Sequence, residues 1–145
     1  MFDTIILCAD GSEHSLRAAK VAADLARKYG ATVVGLNVNQ ASLPMLEPSA
    51  QVAGISGAVY RQQFESAQER ICDGLKRLFS ELDVPFRFRA EVGQPVSVIV
   101  SIAEQERANL IVIGSRGMGS FKSFLIGSVS DGVVHHAHCP VMVVR

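Results

Sequence analysis

Apolar and polar positions along the chain fall into alternating blocks with two different periods. Thr4–Ala9 (TIILCA) and Leu110–Ile113 are short, continuous apolar runs, the pattern of parallel strands buried on both faces. After the first run the spacing changes to steps of three and four. Leu16, Ala19, Ala22, Ala23 and Ala26 share one helical face and Gly30 closes it, as glycine closes a helix C-terminus. Ala31–Val38 reads as the second strand. Tyr60, Phe64, Ala67, Ile71, Leu75, Leu78 and Leu82 give the strongest helical signal in the chain, with Pro85 just past its end. Phe86, Phe88, Ala90 and Val92 then alternate with Arg87, Arg89 and Glu91, predicting a strand with one solvated face, as an edge strand has. Pro95 suits the first turn of a helix carrying Val96, Ile99, Val100 and Ala103. The last helix is predicted from Ser128 to about His136 and the last strand over Val141–Val144.

Five alternations of strand and helix argue an α/β fold in one domain, residues 1–145: a single open five-stranded parallel sheet with helices on both faces. With the Phe86 strand at one edge and the first and fourth strands central, the order is 3-2-1-4-5. Such a sheet reverses between strands 1 and 4, and ligands bind at the carboxyl ends of strands at that point. Asp10 and the loop after Gly114 are therefore expected to line one crevice. The final strand sits at the other edge with no charge or bulge to protect its backbone, a liability that a second copy would remove. This predicts a homodimer through Val141–Val144. Between Asn39 and Gly57 the chain carries Pro44, Pro48, Gly54 and Gly57 without periodicity; a loop of that length is expected to act as a lid or a partner contact.

Composition narrows the function. Fourteen basic and 14 acidic residues balance, so no positive field draws nucleic acid or an anionic membrane. No apolar run approaches the roughly 20 residues of a membrane span, and the first strand begins too early for a signal peptide, which predicts a cytoplasmic protein. Cys8, Cys72 and Cys139 are odd in number and irregular in spacing, as reduced thiols used as small hydrophobes are.

The chemistry concentrates between Leu110 and Ser130. Gly114, Gly117 and Gly119 stand among Ser115, Arg116 and Ser120, where the backbone is expected to turn with positive φ and expose N–H groups. Gly127 and Ser128 open the last helix, with Ser128 as the expected N-cap and Asp131 as a variant capping box. Backbone donors beside a helix N-terminus form an anion site, and a nucleotide phosphate is the commonest occupant. The Walker loop and the G-x-G-x-x-G fingerprint are both absent. Ser128, and Ser130 by the same geometry, are expected to donate to phosphate oxygens. Asp10 reads as a turn residue or N-cap whose carboxylate can also accept from ribose hydroxyls or help hold Mg²⁺. Arg116 and Lys122 have the charge for phosphates, although basic residues in polar loops are often simply solvated. His135, His136, His138 and Cys139 sit at a helix C-terminus stopped by Pro140; neighbouring ligands on a helix face apart, so the reading is dipole stabilisation and no metal site. His14 follows Asp10 with no nucleophile assigned to it, and no catalytic residue is proposed.

Taken together, Gly114-x-x-Gly117, nine further residues and Gly127-Ser128, with D-G-S-E-H-S-L after the first strand, L-N-V-N after the second and a final H-C-P-V-M-V-V-R, resemble the ATP-binding signature of the universal stress protein family. The resemblance covers the whole chain. It implies an adenine nucleotide alpha hydrolase-like fold, a bound ATP with or without Mg²⁺, and a small dimeric module of the stress response with a protein partner that no motif specifies. It carries Ala9 and Val38 to the adenine and ribose walls and Asp10 to nucleotide binding. It carries Gly114, Arg116, Gly117, Gly127, Ser128, Val129 and Ser130 to the rest of the nucleotide site. Two other readings stand beside it. One is a nucleotide-free dimerisation or adaptor module, the kind of family member that lacks the glycine signature. The other is an adenylyl-transfer or slowly ATP-hydrolysing enzyme; A-D-G-S-E-H-S matches neither the S-G-G-x-D-S nor the H-x-G-H loop of those families, and no motif positions a general base.

Overall fold

The computed structural model describes residues 1–40, 57–117 and 126–145, with the side chains of 57, 58 and 60 excepted. Residues 41–56 of the loop expected over Asn39–Gly57 as a lid or partner contact, and Gly119, Ser120 and Lys122, lie outside the described residues. The elements are β1 (Thr4–Cys8), α1 (Glu13–Tyr29), β2 (Thr32–Asn39), α2 (Gly57–Glu81), β3 (Phe86–Val92), α3 (Pro95–Gln105), β4 (Leu110–Gly114), α4 (Ser128–His136) and β5 (Val141–Val144). All strand pairs are parallel, and the order is β3-β2-β1-β4-β5, as the sequence predicts. β1 ends one residue before the expected Ala9, and β2 runs one residue past the expected Val38.

Because successive side chains of a strand point to opposite faces, the apolar runs feed two cores. Ile5, Leu7, Val33 and Val112 meet the alanines of α1 and Leu75 and Phe79 of α2. Ile6, Val34, Leu36, Ile111 and Ile113 meet Ile99, Ile102 and Ala103 of α3 and Val133 of α4. Ser12 caps α1 by accepting the Ser15 amide at 3.2 Å, and Gly30 ends it in the left-handed region at φ 70°. Gln94 caps α3 through the Ser97 amide at 2.7 Å, with Pro95 in the first turn as expected.

Three sequence expectations change. Leu16 is 52% exposed, because the buried line of α1 runs through Ser15, Ala18, Ala19 and Ala22, one position round the helix. Phe79, absent from the predicted stripe of α2, is fully buried and stacks on Phe86 with centroids 4.5 Å apart. Gly35 makes room for that ring: a Cβ there would lie 2.8 Å from Phe86 Cζ. The alternation of β3 holds for Phe86 and Phe88, but Ala90 is exposed and Val92 is 60% exposed. Its charged side is also more than solvated. Arg87 Nη2 and Arg89 Nη1 each reach one carboxylate oxygen of Glu106 at 2.9 Å, and Arg89 also pairs with Glu91 at 2.7 Å.

Candidate functional site

The carboxyl ends of β1, β2 and β4 and the start of α4 enclose a cleft of about 750 Å³, within the range of small-molecule sites. Ala9, Asp10, Val38, Gly114, Arg116, Gly117, Gly127, Ser128, Val129 and Ser130 all line it. The structure thus gathers these ten sequence-predicted residues into one place, while Lys122 lies outside the described residues. The sequence reading missed the apolar wall: Cys8, Leu36, Pro95, Ile99 and Ile113. Alternation along β2, which puts Leu36 and Val38 on the α3 face together, was the available signal.

Asp10 leaves the sheet in a turn: its Oδ1 accepts the Ser12 amide at 2.9 Å, a side-chain mimic of a backbone turn. Of its two expected roles it takes the turn, since Ser12 is the cap. The loop after β4 comes down on the same carboxylate. A Cβ on Gly117 would sit 2.8 Å from Asp10 Oδ2, so any larger residue would have to push that carboxylate aside. The other two glycines work differently from expectation. Gly114 lies under the first turn of α1, where a Cβ would be 2.8 Å from His14 Cβ and 2.9 Å from its carbonyl carbon. Neither Gly114 nor Gly117 has positive φ; Gly11, Gly30 and Gly93 do. Gly127 donates its N–H to the Ser115 carbonyl at 2.7 Å, and a Cβ on it would stand 3.1 Å from that oxygen.

Gly127, with φ −62° and ψ 157°, is the N-cap of α4, and no side chain caps that helix. Ser128 is therefore the first helical residue, too far along to cap, and Asp131 falls one place beyond the capping-box position. Ser130 holds that place. Its buried hydroxyl lies 2.9 Å from the Gly127 carbonyl and 3.1 Å from that of Ser115, so its proton is committed inside and its backbone N–H is what it brings to the helix end. The first amides of a helix lack intrahelical acceptors and carry the positive end of its dipole. These amides, with Gly127 and the exposed Ser128, bound one end of the cleft.

Other titratable groups have defined surroundings. Burial, reinforced by the charge of Asp10, pushes the Cys8 thiol up to about 12, so it lines the cleft as a neutral hydrophobe. His14 does have a hydroxyl partner, Ser115 Oγ at 3.3 Å from its Nδ1, which 101 positions of sequence separation had hidden. Neither residue lines the cleft. His135 and His136 donate through Nδ1 to the carbonyls of Asp131 and Gly132, both at 2.8 Å. Among the described residues no three His, Cys, Asp or Glu side chains gather as a metal site, and no helix is long and apolar enough to cross a membrane.

Known proteins share this architecture. The sequence matches the universal stress protein family over residues 1–145. A universal stress protein of Thermus aquaticus is 35% identical over 150 residues, with 100% of both chains covered. Another, from Methanocaldococcus jannaschii, is 30% identical over 145 residues, covering 100% of this chain and 83% of that one. Two solved structures have the same fold. A universal stress protein in complex with cAMP superposes with a TM-score of 0.74 at 22% identity over 99% of this chain and 97% of that one. The universal stress protein from Archaeoglobus fulgidus in complex with dAMP gives 0.71 at 18% over 100% and 98%. The fold, with the strand order 3-2-1-4-5, is the adenine nucleotide alpha hydrolase-like one that the family resemblance implies. A match along the whole sequence, joined to this shared architecture, makes the chain a member of the universal stress protein family.

Proposed function

We propose that the cleft binds ATP, with or without Mg²⁺, and that the protein is a small cytoplasmic regulatory module that reports nucleotide occupancy through its own dimer and a protein partner. The close approach of the Gly117 backbone to the Asp10 carboxylate carries this reading, because it brings the two halves of the expected site together: a Cβ on Gly117 would stand 2.8 Å from Asp10 Oδ2. The apolar wall of Leu36, Ile99 and Ile113 suits a base, with Ala9 and the Val38 peptide beside it. Asp10 is placed for ribose hydroxyls. The start of α4 and Arg116 answer the phosphates. Relatives of this fold solved with cAMP and dAMP support an adenine nucleotide.

Binding rather than turnover fits the groups present. The Cys8 thiol stays protonated, and the Ser115–His14 pair stands outside the cleft lining. A steady-state rate above roughly one per second, an ordinary enzyme value, would overturn that part. Titration calorimetry with ATP tests the main claim, and a nucleotide-free module would give no heat. At ligand a hundredfold above its dissociation constant, stability should rise by about 2.7 kcal/mol. Gly117→Val should abolish that rise while leaving the ligand-free protein folded; an undiminished rise would show that the loop is not the site.

A further inference from the structure

β1 and β2 pair in register as far as Cys8↔Leu36, and their last rung is the Ala9 amide donating to the Leu36 carbonyl at 2.9 Å. In a parallel ladder the next bond runs from the Val38 amide to the Ala9 carbonyl, because Leu36 and Val38 turn their peptide groups toward the same neighbour. A side chain takes that carbonyl instead. Asn37 Nδ2 donates to Ala9 O at 2.7 Å, and Asn37 Oδ1 accepts from Gln68 Nε2 of α2 at 3.4 Å, a long bond. Asn37 is 7% exposed and lies on the α2 side of the sheet, while Val38 lines the cleft on the other.

Packing alone does not call for an amide here. Leucine would fill a similar volume, and a buried amide is tolerated only when its polar atoms are satisfied. Both atoms of this one are used, and the donor is spent at the point where the two strands part.

We propose that Asn37, backed by Gln68, is a positioning residue for base recognition: by occupying the Ala9 carbonyl it ends the β1–β2 ladder one rung early and leaves the Val38 peptide turned to the ligand. This rests on the adenine-nucleotide reading of the cleft. A backbone N–H beside a C=O matches the acceptor and donor on the pairing edge of adenine and mismatches guanine, whose pairing edge presents them in reverse. Asn37 therefore acts on discrimination between bases without touching the ligand.

Two measurements test it. In the ligand-free wild type, amide exchange followed by NMR should show Val38 unprotected beside a protected Leu36, and Asn37→Leu should slow Val38 as the ladder closes. A wild-type Val38 as protected as Leu36 overturns the inference. In calorimetry, Asn37→Leu should weaken ATP binding about tenfold, the worth of one buried hydrogen bond, and shrink the preference for ATP over GTP. Gln68→Ala should do the same by about threefold, as a longer bond would, and it decides the point if Asn37→Leu does not fold. An unchanged ATP-to-GTP ratio in the variants overturns the inference. A wild type that takes up no nucleotide defeats the functional reading and base recognition with it, while the exchange measurement still decides whether Asn37 holds the strands apart.

Discussion

The two edges of the sheet are finished in opposite ways. β3 is closed within the chain: Phe86 stacks on Phe79 over Gly35 on one side, and Arg87 and Arg89 converge on Glu106 on the other. β5 is four apolar residues with Met142 37% exposed. A charged, anchored edge resists further pairing, and a bare apolar one invites it. The contrast supports placing the proposed homodimer at β5 and leaving β3 facing solvent.

Substitutions can break each side of this contrast separately. The largest effect is expected from Phe79→Ala, which should cost about 3–5 kcal/mol, as buried phenylalanines do; urea denaturation measures it, and a loss below about 1 kcal/mol would show that the stack does not anchor β3. Met142→Lys should leave stability nearly unchanged but set like charges against each other across a two-fold axis, weakening association by roughly a hundredfold. Light scattering should then report a monomer, and a persistent dimer would move the interface elsewhere. Glu106→Gln is the smallest, about 1 kcal/mol at neutral pH. Its pH dependence sharpens the test. Hydrogen bonds from Arg89 and then Arg87 hold the Glu106 carboxyl below the usual carboxylate range. The folded protein therefore takes up that proton at a lower pH than the unfolded chain, so the stabilisation is complete above the ordinary carboxylate range and is lost as pH falls from that range through the lowered value of the folded carboxyl. Wild type and variant should converge in acid; a constant gap would refute the ion-pair account.

The strand order was legible because each strand announces its burial. Runs such as Ile5–Leu7 and Leu110–Ile113 have the pattern of strands buried on both faces. Phe79 was not, since its reason for burial is Phe86 on another element, admitted by a glycine on a third. The charged side of β3 read as solvated because Glu106 lies 19 and 17 positions from its two arginines. At the site, residue identities were legible and roles less so. Local statistics favour Ser128 over Gly127 as a cap, but the extended backbone of Gly127 makes it the cap, and the Ser115 carbonyl leaves a Cβ there only 3.1 Å. Asn37 was invisible as a positioning residue because its partner is a carbonyl 28 residues away, at the end of the neighbouring strand.

Ser115 ties the outermost strand to the ligand side of the molecule. Its amide donates to the Val144 carbonyl at 2.7 Å, and its own carbonyl receives the Gly127 amide at 2.7 Å. A single residue's backbone thus hangs between the C-terminal strand and the first turn of α4. The link from β5 to the end of the cleft proposed for the phosphates is therefore made of main-chain hydrogen bonds, with no side chain in between.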